Sequence, residues 1–201
     1  MNDLNIYIKT IQEELEAHID AMNQENLKQA KDLILNQEQS GKRVHVTGIG
    51  KPSYVAGYIA SLLSSIGTKA YFLDGTEAVH GSAGQVDVGD VVIAISNSGQ
   101  TSELRYTVET LKSNGARIIA VSGNEESWLA KNSDVFLKAT VSKEGDGLNK
   151  PPRASILVEM FTLQCLSILL QAERNLDSQK YVKWHPGGAL GASISQDKNT
   201  V

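Results

Sequence analysis

The spacing of apolar residues divides the chain into an N-terminal helical segment and a series of alternating strands and helices. In residues 3–39, apolar side chains recur at helical spacing, which predicts a pair of helices that ends where Gly41 breaks the pattern. Short apolar runs after Gly41 predict strands at 43–48, 69–73, 90–96, 116–122 and 134–138. Helical patterns predict helices at 51–66, 101–114, 126–132 and 153–174.

This order of elements predicts an α/β fold. Strands that alternate with helices form a parallel sheet with helices on both faces, so we expect a three-layer sandwich around a five-stranded parallel sheet. A chain of 201 residues suits one domain, with N-terminal helices in 1–40 and an α/β core, C-terminal helix and tail in 41–201. The apolar faces of the N-terminal pair and the long C-terminal helix predict a homo-oligomer.

Composition excludes several classes of protein. A net charge of −4 gives no electrostatic basis for binding nucleic acid or an anionic membrane. The N-terminus, MNDLNIYIKT, is polar, and no apolar run is long enough to span a bilayer, so we predict a cytoplasmic protein. Cys165 is the single cysteine and lies in an apolar helical stretch, which favours a structural thiol. No histidines and carboxylates have metal-ligand spacing, so we predict no metal.

The strongest motif is VVIAISNSGQTSEL, residues 91–104, where a buried-strand pattern leads directly into a polar turn. The turn combines the hydroxyl groups of Ser96, Ser98 and Thr101 with Gly99, which permits a tight turn. A helix that begins at about Gln100 would direct its free N–H groups at this turn. Such a site suits a phosphate monoester. The alternative is an ordinary capped helix start.

A second turn, GIGKPSY, contains Gly48, Gly50, Lys51 and Ser53 between a predicted strand and helix. It matches neither the Walker A spacing nor the dinucleotide-binding fingerprint. Lys51 at a helix N-terminus is disfavoured by the helix dipole, so it needs an anionic partner or lies in solvent. Both turns, and the loop 142–152, follow strands, and ligands of such folds bind at the carboxyl ends of strands where the strand order reverses.

Four further ionisable residues lie near these turns. Glu103 follows the polar turn, close enough to face the same cavity, although glutamate is common in any first helical turn. Glu144 lies in a glycine-rich loop, where carboxylates are usually solvated. His185, in KWHPGGALG, is a proton carrier or a packing histidine, and His80 lies in a short loop after the second strand.

Taken together, these segments resemble the SIS (sugar isomerase) domain family. SNSGQTSE matches the Ser-x-Ser-Gly-x-Thr phosphate loop of that family, and GIGKPSY matches its first glycine turn. The segments GIGK, GTEAVHGSAG, AISNSGQTSEL and WHPGGALG occur in the order typical of its arabinose 5-phosphate isomerase branch. The resemblance covers about residues 10–195. Members of that branch often carry a C-terminal pair of CBS domains, which we do not expect in a chain that ends at Val201.

The resemblance implies roles for individual residues. It places four residues in a catalytic set: Lys51, Glu103, Glu144 and His185. It assigns substrate binding to Gly50, Ser53, His80, Ser96, Asn97, Ser98 and Thr101, and we add Arg153, which this chain carries where the family has a hydroxyl residue. Family members are usually tetramers with sites between subunits, so the resemblance implies that His185 acts in a neighbour's pocket.

The chain departs from the family pattern at two places. The Gly-Lys-Ser-Gly turn of the family is GKPS at residues 50–53, and the segment Ala-Pro-Thr-Ser-Ser-Thr becomes PPRASI at residues 151–156. The second change removes hydroxyl groups and adds the guanidinium of Arg153. Because unpaired polar groups discriminate strongly between substrates, this change leaves the identity of the sugar open.

The expected activity is therefore aldose–ketose isomerisation of a small phosphosugar, such as the conversion of D-ribulose 5-phosphate to D-arabinose 5-phosphate through a cis-enediol. The reaction moves a proton between C1 and C2, so it needs a base and an oxyanion stabiliser but no cofactor. The main alternative is a phosphosugar-binding regulatory module without catalysis. A third hypothesis is another reaction, such as that of a phosphosugar lyase or a hexulose phosphate isomerase.

Overall fold

The strands form a single parallel sheet at the centre of the fold. The computed structural model describes residues 2–187, and within this range the strand order is β2-β1-β3-β4-β5 with every neighbouring pair parallel. The strands are β1 (Val44–Gly48), β2 (Ala70–Phe72), β3 (Val91–Ile95), β4 (Arg117–Ser122) and β5 (Val135–Lys138). The prediction of a five-stranded parallel sheet is confirmed.

The helices lie on both faces of the sheet. Their bounds are α1 (Asp3–Asp20), α2 (Gln24–Gln39), α3 (Lys51–Ser65), α4 (Gly75–Ala78), α5 (Ser102–Ser113), α6 (Trp128–Lys131), α7 (Ala154–Glu173) and α8 (Ser178–Trp184). A 3₁₀ turn spans Ser82–Gln85. The elements α4, α8 and the 3₁₀ turn were not predicted, because segments of four to seven residues are too short to show a helical apolar period.

Alternate strand residues supply the two halves of the hydrophobic core. On β3, Ile93 and Ile95 pack in a cluster with α2, α3 and α7, whereas Val92 and Ala94 pack in a second cluster with α4, α5 and α6. Every residue of β3 is buried because helices cover both faces of the sheet. The predicted three-layer sandwich is therefore confirmed.

Helix α7 is the most apolar element of the core. Among the described residues it is the one helix with the length and composition of a membrane span, but half of that stretch is buried inside the protein. It packs against α1, α2 and α3, and such contacts are typical of a core helix. Cys165 lies on this helix, and burial raises the pKa of its thiol, which suits a structural role.

Candidate functional site

The strand order reverses between β1 and β3. From β1 the chain passes into α3 on one face of the sheet, and from β3 it passes into α5 on the other face. Gly48 and Ile95, the last residues of the two strands, are partners in the sheet, so the turns that follow them lie side by side. As predicted, these two turns meet in a crevice at the carboxyl edge of the sheet.

A cavity of about 250 Å³ opens at this crevice. It is lined by Ile49, Pro52, Ser96, Asn97, Ser98, Thr101, Glu144, Lys150, Pro152, Ser155, Ile156 and Glu159. The wall therefore combines the two turns with the loop 142–152 and the first turns of α7. Five residues that the sequence analysis assigned to the site lie in this wall: Ser96, Asn97, Ser98, Thr101 and Glu144.

The turn after β3 presents hydroxyl groups and backbone donors together. Gly99 adopts a φ of +62°, and its N–H donates to the Ser96 hydroxyl at 3.1 Å. The hydroxyl groups of Ser96 and Thr101 lie 3.3 Å apart. Within the described structure, Thr101 occupies the N-cap of α5 without a side-chain cap hydrogen bond, and the positive end of the helix lies at this turn, where it can attract an anion.

In the turn after β1, the side chains of the predicted site residues do not all face the site. Gly48 lies against the Pro52 backbone, since a Cβ at Gly48 would come 3.0 Å from the Pro52 carbonyl carbon. The Ser53 hydroxyl donates to the Gly50 carbonyl at 2.6 Å, and it therefore faces its own turn. Lys51 is exposed at the first position of α3. Across residues 2–187, the Lys51 ammonium has no hydrogen bond or ion pair, so it can approach a bound anion.

Glu144 is buried and binds the start of α7. One oxygen of its carboxylate accepts from the backbone N–H of Arg153 at 2.6 Å and of Ser155 at 3.1 Å. The Glu144 N–H donates to the side-chain oxygen of Asn149 at 2.6 Å, which fixes the loop at this point. The negative charge is stabilised by the positive end of the α7 dipole. The structure thus holds a carboxylate in a fixed position in the same cavity as the polar turn.

The N-terminal helix α1 holds the loop that carries Glu144. The Glu14 carboxylate accepts from the backbone N–H of Ser142 at 2.7 Å and also from its hydroxyl. The ring of Tyr7 covers Gly145, where an added Cβ would lie 2.7 Å from the ring. His18 bonds through Nε2 to the hydroxyl of Thr162 on α7 at 2.8 Å. Helix α1 therefore fixes both the loop and α7, and through them the position of Glu144.

Four of the predicted substrate contacts do not line the cavity, namely Gly50, Ser53, His80 and Arg153. The guanidinium of Arg153 pairs with Asp146 at 2.5 Å, and within residues 2–187 the cation in the cavity wall is Lys150. His80 is exposed in the turn after α4. Ser53 faces Gly50, as described above.

Glu103 lies on the exposed surface at the start of α5. Its own backbone N–H, and then the hydroxyl of Ser102, hold the pKa of its carboxyl below the ordinary value. It lies beside the polar turn, but within the described residues it is not part of the cavity wall. Its proposed catalytic role remains a prediction.

His185 lies at the opposite edge of the sheet from the cavity of its own chain. It follows α8, where its ring stacks on Tyr181 with a centroid distance of 4.1 Å. The neighbouring Trp184 packs against Gly67, which precedes β2 at the amino edge of the sheet. Helix α3 connects the two edges and spans roughly 22 Å at 1.5 Å per residue. The remainder of the HPGGALG segment, 188–191, lies outside the described residues.

The model of the SIS domain family matches residues 39–169. The chain belongs to the SIS domain family. This match covers the sheet, the polar turn after β3 and most of α7, so it includes the elements that form the cavity.

Several known proteins are similar to this SIS domain. Arabinose 5-phosphate isomerase KdsD of Francisella tularensis is 36% identical over 170 residues, which cover 85% of this chain and 52% of that protein. KdsD of Pseudomonas aeruginosa is 40% identical over 152 residues, which cover 76% of this chain and 47% of that protein. The chain thus spans about half the length of the curated relatives it matches.

A solved structure shows the same fold at similar size. It is that of an Escherichia coli CFT073 protein in complex with arabinose 5-phosphate, with a TM-score of 0.82 and 30% sequence identity. The alignment covers 91% of this chain and 95% of that chain.

Three polar residues of the cavity wall were not predicted from the sequence, namely Lys150, Ser155 and Glu159. Glu159 is fully buried. Burial, and then the nearby charge of Glu144, raise the pKa of the Glu159 carboxyl to about 8. One signal in the sequence points to it, because Glu159 is an isolated acidic residue in the apolar stretch ASILVEMFTLQCLSILL.

The SIS domain shows no cluster suited to a metal ion in the part of the chain that the structure describes. No group of three histidine, cysteine, aspartate or glutamate side chains within residues 2–187 could hold one. The candidate chemistry of the cavity is therefore that of hydroxyl groups, backbone donors, carboxyl groups and lysine.

Proposed function

We propose that this SIS domain is an aldose–ketose isomerase of a small phosphosugar, an intramolecular oxidoreductase that uses no cofactor. The observation that supports this most directly is the position of Glu144. A buried carboxylate lies in the same small cavity as a turn suited to phosphate, so a bound phosphosugar would have its carbon chain beside a base. The relatives named arabinose 5-phosphate isomerase point to the same class of reaction and to D-ribulose 5-phosphate and D-arabinose 5-phosphate as first candidates.

In the proposed mechanism, the polar turn and the N-terminus of α5 bind the phosphate group. Glu103, Glu144 or His185 moves the proton between C1 and C2 through a cis-enediol intermediate, and another of these groups helps to open the cyclic sugar. Lys51, exposed at the start of α3, stabilises the developing oxyanion or the phosphate. We propose that Gly50, Ser53, His80 and Arg153 contribute to binding once the substrate or a partner subunit is present.

The proposed active form is a cytoplasmic homotetramer with sites shared between subunits. His185 is far from the cavity of its own chain, so it can act only in the cavity of another subunit. Large apolar side chains on α1 are exposed, including Leu4, Ile6, Ile8 and Ile19, and such a surface suits a subunit interface. The single cysteine suits a reducing compartment.

The first prediction tests the activity itself. In deuterated water, the protein is expected to exchange the C1 or C2 proton of one of arabinose 5-phosphate, ribose 5-phosphate and fructose 6-phosphate, and to convert it between aldose and ketose. NMR spectra of the three mixtures measure both events. The Lys51→Ala variant is expected to lose about 10²- to 10³-fold in kcat because it lacks the oxyanion partner.

Lys69→Ala is the matched control, since Lys69 is an exposed lysine at the amino edge of the sheet. It is expected to retain wild-type turnover. Full activity of Lys51→Ala would contradict the assignment of Lys51. An increase in melting temperature with these sugars, without any exchange, would favour the regulatory module.

The second prediction tests the shared site. Lys51→Ala and His185→Ala are each expected to retain less than about 1% of wild-type turnover as pure proteins. When the two variants are refolded together, random pairing makes about half of the subunit pairs mixed. In each mixed pair, one of the two shared sites has both native residues, so activity should return to about a quarter of wild type. Steady-state assays before and after mixing measure this. If both residues act within one chain, mixing restores nothing.

A further inference from the structure

Glu159 has a carboxyl group without a protein partner. Its side chain is 0% exposed, and within residues 2–187 neither carboxyl oxygen has a hydrogen-bond partner. The hydroxyl group of Ser155, one turn earlier on α7, is also buried and lacks a partner in the described chain. Both residues line the cavity of the candidate site.

The position of the two residues makes them the floor of the cavity. Residues four apart lie on the same face of a helix, so Ser155 and Glu159 face the cavity together, with Glu159 roughly 6 Å deeper along α7. Asn97 and Ser98 of the polar turn are exposed, whereas Glu159 is buried, so the turn forms the outer part of the cavity wall. A ligand whose phosphate group binds the turn therefore extends its other end toward Glu159.

The chemical state of Glu159 indicates what this end must be. Its raised pKa, about 8, keeps the carboxyl protonated at neutral pH, so one oxygen donates a hydrogen bond and the other accepts one. A protonated carboxyl is a poor base but a good partner for a hydroxyl group. Because buried polar groups without partners are unfavourable, a ligand that supplies hydroxyl groups here gains affinity.

We propose that Glu159, together with Ser155, binds a hydroxyl group of the sugar chain and determines which phosphosugar this enzyme accepts. This inference rests on the proposed function and adds a specificity contact at the end of the cavity away from the phosphate. Ile49 and Ile156 in the wall form no side-chain hydrogen bonds, and Glu144 already accepts two backbone N–H groups. The contact with Glu159 is therefore expected to decide between sugars that differ at one hydroxyl group.

The test compares Glu159→Leu with Glu159→Gln. Leucine removes both polar atoms, whereas glutamine keeps one donor and one acceptor, as the protonated acid does. We expect Glu159→Leu to bind arabinose 5-phosphate about 10- to 100-fold more weakly by calorimetry, and Glu159→Gln to recover most of that affinity. Inorganic phosphate should bind all three proteins alike. Glu173→Gln, at the far end of the same helix, is the control.

Deoxy analogues identify the contact independently of folding. Wild-type protein is expected to bind the 3-deoxy or the 4-deoxy analogue of arabinose 5-phosphate more weakly than the parent sugar, and Glu159→Leu should show no such difference. Glu159→Leu replaces an unpaired buried acid with an apolar residue, so it should fold at least as stably as wild type.

The pH profile gives a further readout that a structural role would not change. Wild-type affinity for arabinose 5-phosphate should fall above about pH 8, as the donor proton of Glu159 is lost, whereas the affinity of Glu159→Gln should not share this decrease. The other ionisable groups in or near the cavity are Glu144 and Lys150 in its wall, Lys51 at the start of α3 and, behind α7, His18. They are present in both proteins, so the difference between the two profiles isolates Glu159.

Three results would overturn the inference while the proposed function stands. In the first, the wild type is active but Glu159→Leu binds arabinose 5-phosphate as well as the wild type does. In the second, Glu159→Leu loses as much affinity for inorganic phosphate as for arabinose 5-phosphate. A Gln variant as defective as the Leu variant would also overturn it, because a donor and an acceptor would then be insufficient. A wild type that neither binds nor exchanges any of the three sugars would overturn the proposed function, and this inference with it.

Discussion

Glu144→Gln is expected to reduce kcat by about 10²- to 10⁴-fold while the protein remains folded. The amide keeps an oxygen that can accept from the backbone N–H groups of Arg153 and Ser155, so the start of α7 should persist. The negative charge and the ability to take a proton are lost. Loss of the charge at the helix N-terminus should reduce the free energy of unfolding by about 1 kcal/mol. Steady-state kinetics and urea denaturation measure the two effects separately.

Asp146→Asn is the matched control for Glu144→Gln. Asp146 lies in the same loop and carries the same functional group, but it pairs with Arg153 and, among the residues that the structure places, lies outside the cavity wall. We expect this variant to lose less than about tenfold in kcat, a loss that reports only on loop geometry. Equal losses in both variants would show that Glu144 acts through the loop and not on the substrate.

Gly99→Ala is expected to disrupt the phosphate turn and to lower the free energy of unfolding by about 2–4 kcal/mol. The φ of Gly99 is +62°, which is unfavourable for alanine. An added Cβ would also lie 2.5 Å from the Cβ of Ser127 and 2.7 Å from the hydroxyl of Ser122. Ser122 and Ser127 are both fully buried, so they have no free space into which they could move away from an added Cβ. Urea denaturation measures the free energy of unfolding, and the rise in melting temperature with inorganic phosphate measures whether the turn still binds phosphate.

Gly57→Ala is the control for Gly99→Ala. Gly57 lies inside α3, and the nearest atom to an added Cβ is 4.0 Å away on Phe72. Alanine in this helix should leave stability unchanged or raise it by up to about 1 kcal/mol. If Gly99→Ala proved as stable as Gly57→Ala and still responded to phosphate, the strained turn would not be the anion site.

The polar turn and Glu144 were predictable because their chemistry is local. Ser96, Ser98 and Thr101 follow a strand whose apolar run shows that it is buried, and parallel strands bring such turns to one edge. Glu144 follows the last strand and reaches the same edge. Two short helices, α4 and α8, were not predicted because their few residues show no period.

The contacts of individual side chains were not predictable in the same way. Arg153 was expected at the substrate, but Asp146 lies within reach of its guanidinium, and Lys150 is in the cavity wall instead. Glu159 enters the site because α7 begins at the cavity and runs beneath it. The direction of α7 follows from its packing on α2 and α3. These contacts join segments that are distant in the sequence, so the pattern of neighbouring residues does not predict them.

The sequence by itself determined the α/β fold, the strands and the polar turn at the carboxyl edge, because burial, helical period and turn chemistry are properties of neighbouring residues. The tertiary structure alone decided that Glu159 is an unpaired acid at the floor of the cavity. It also placed His185 at the opposite edge of its own chain. Both facts depend on which distant segments pack together, since that packing sets the burial and the partners of each ionisable group.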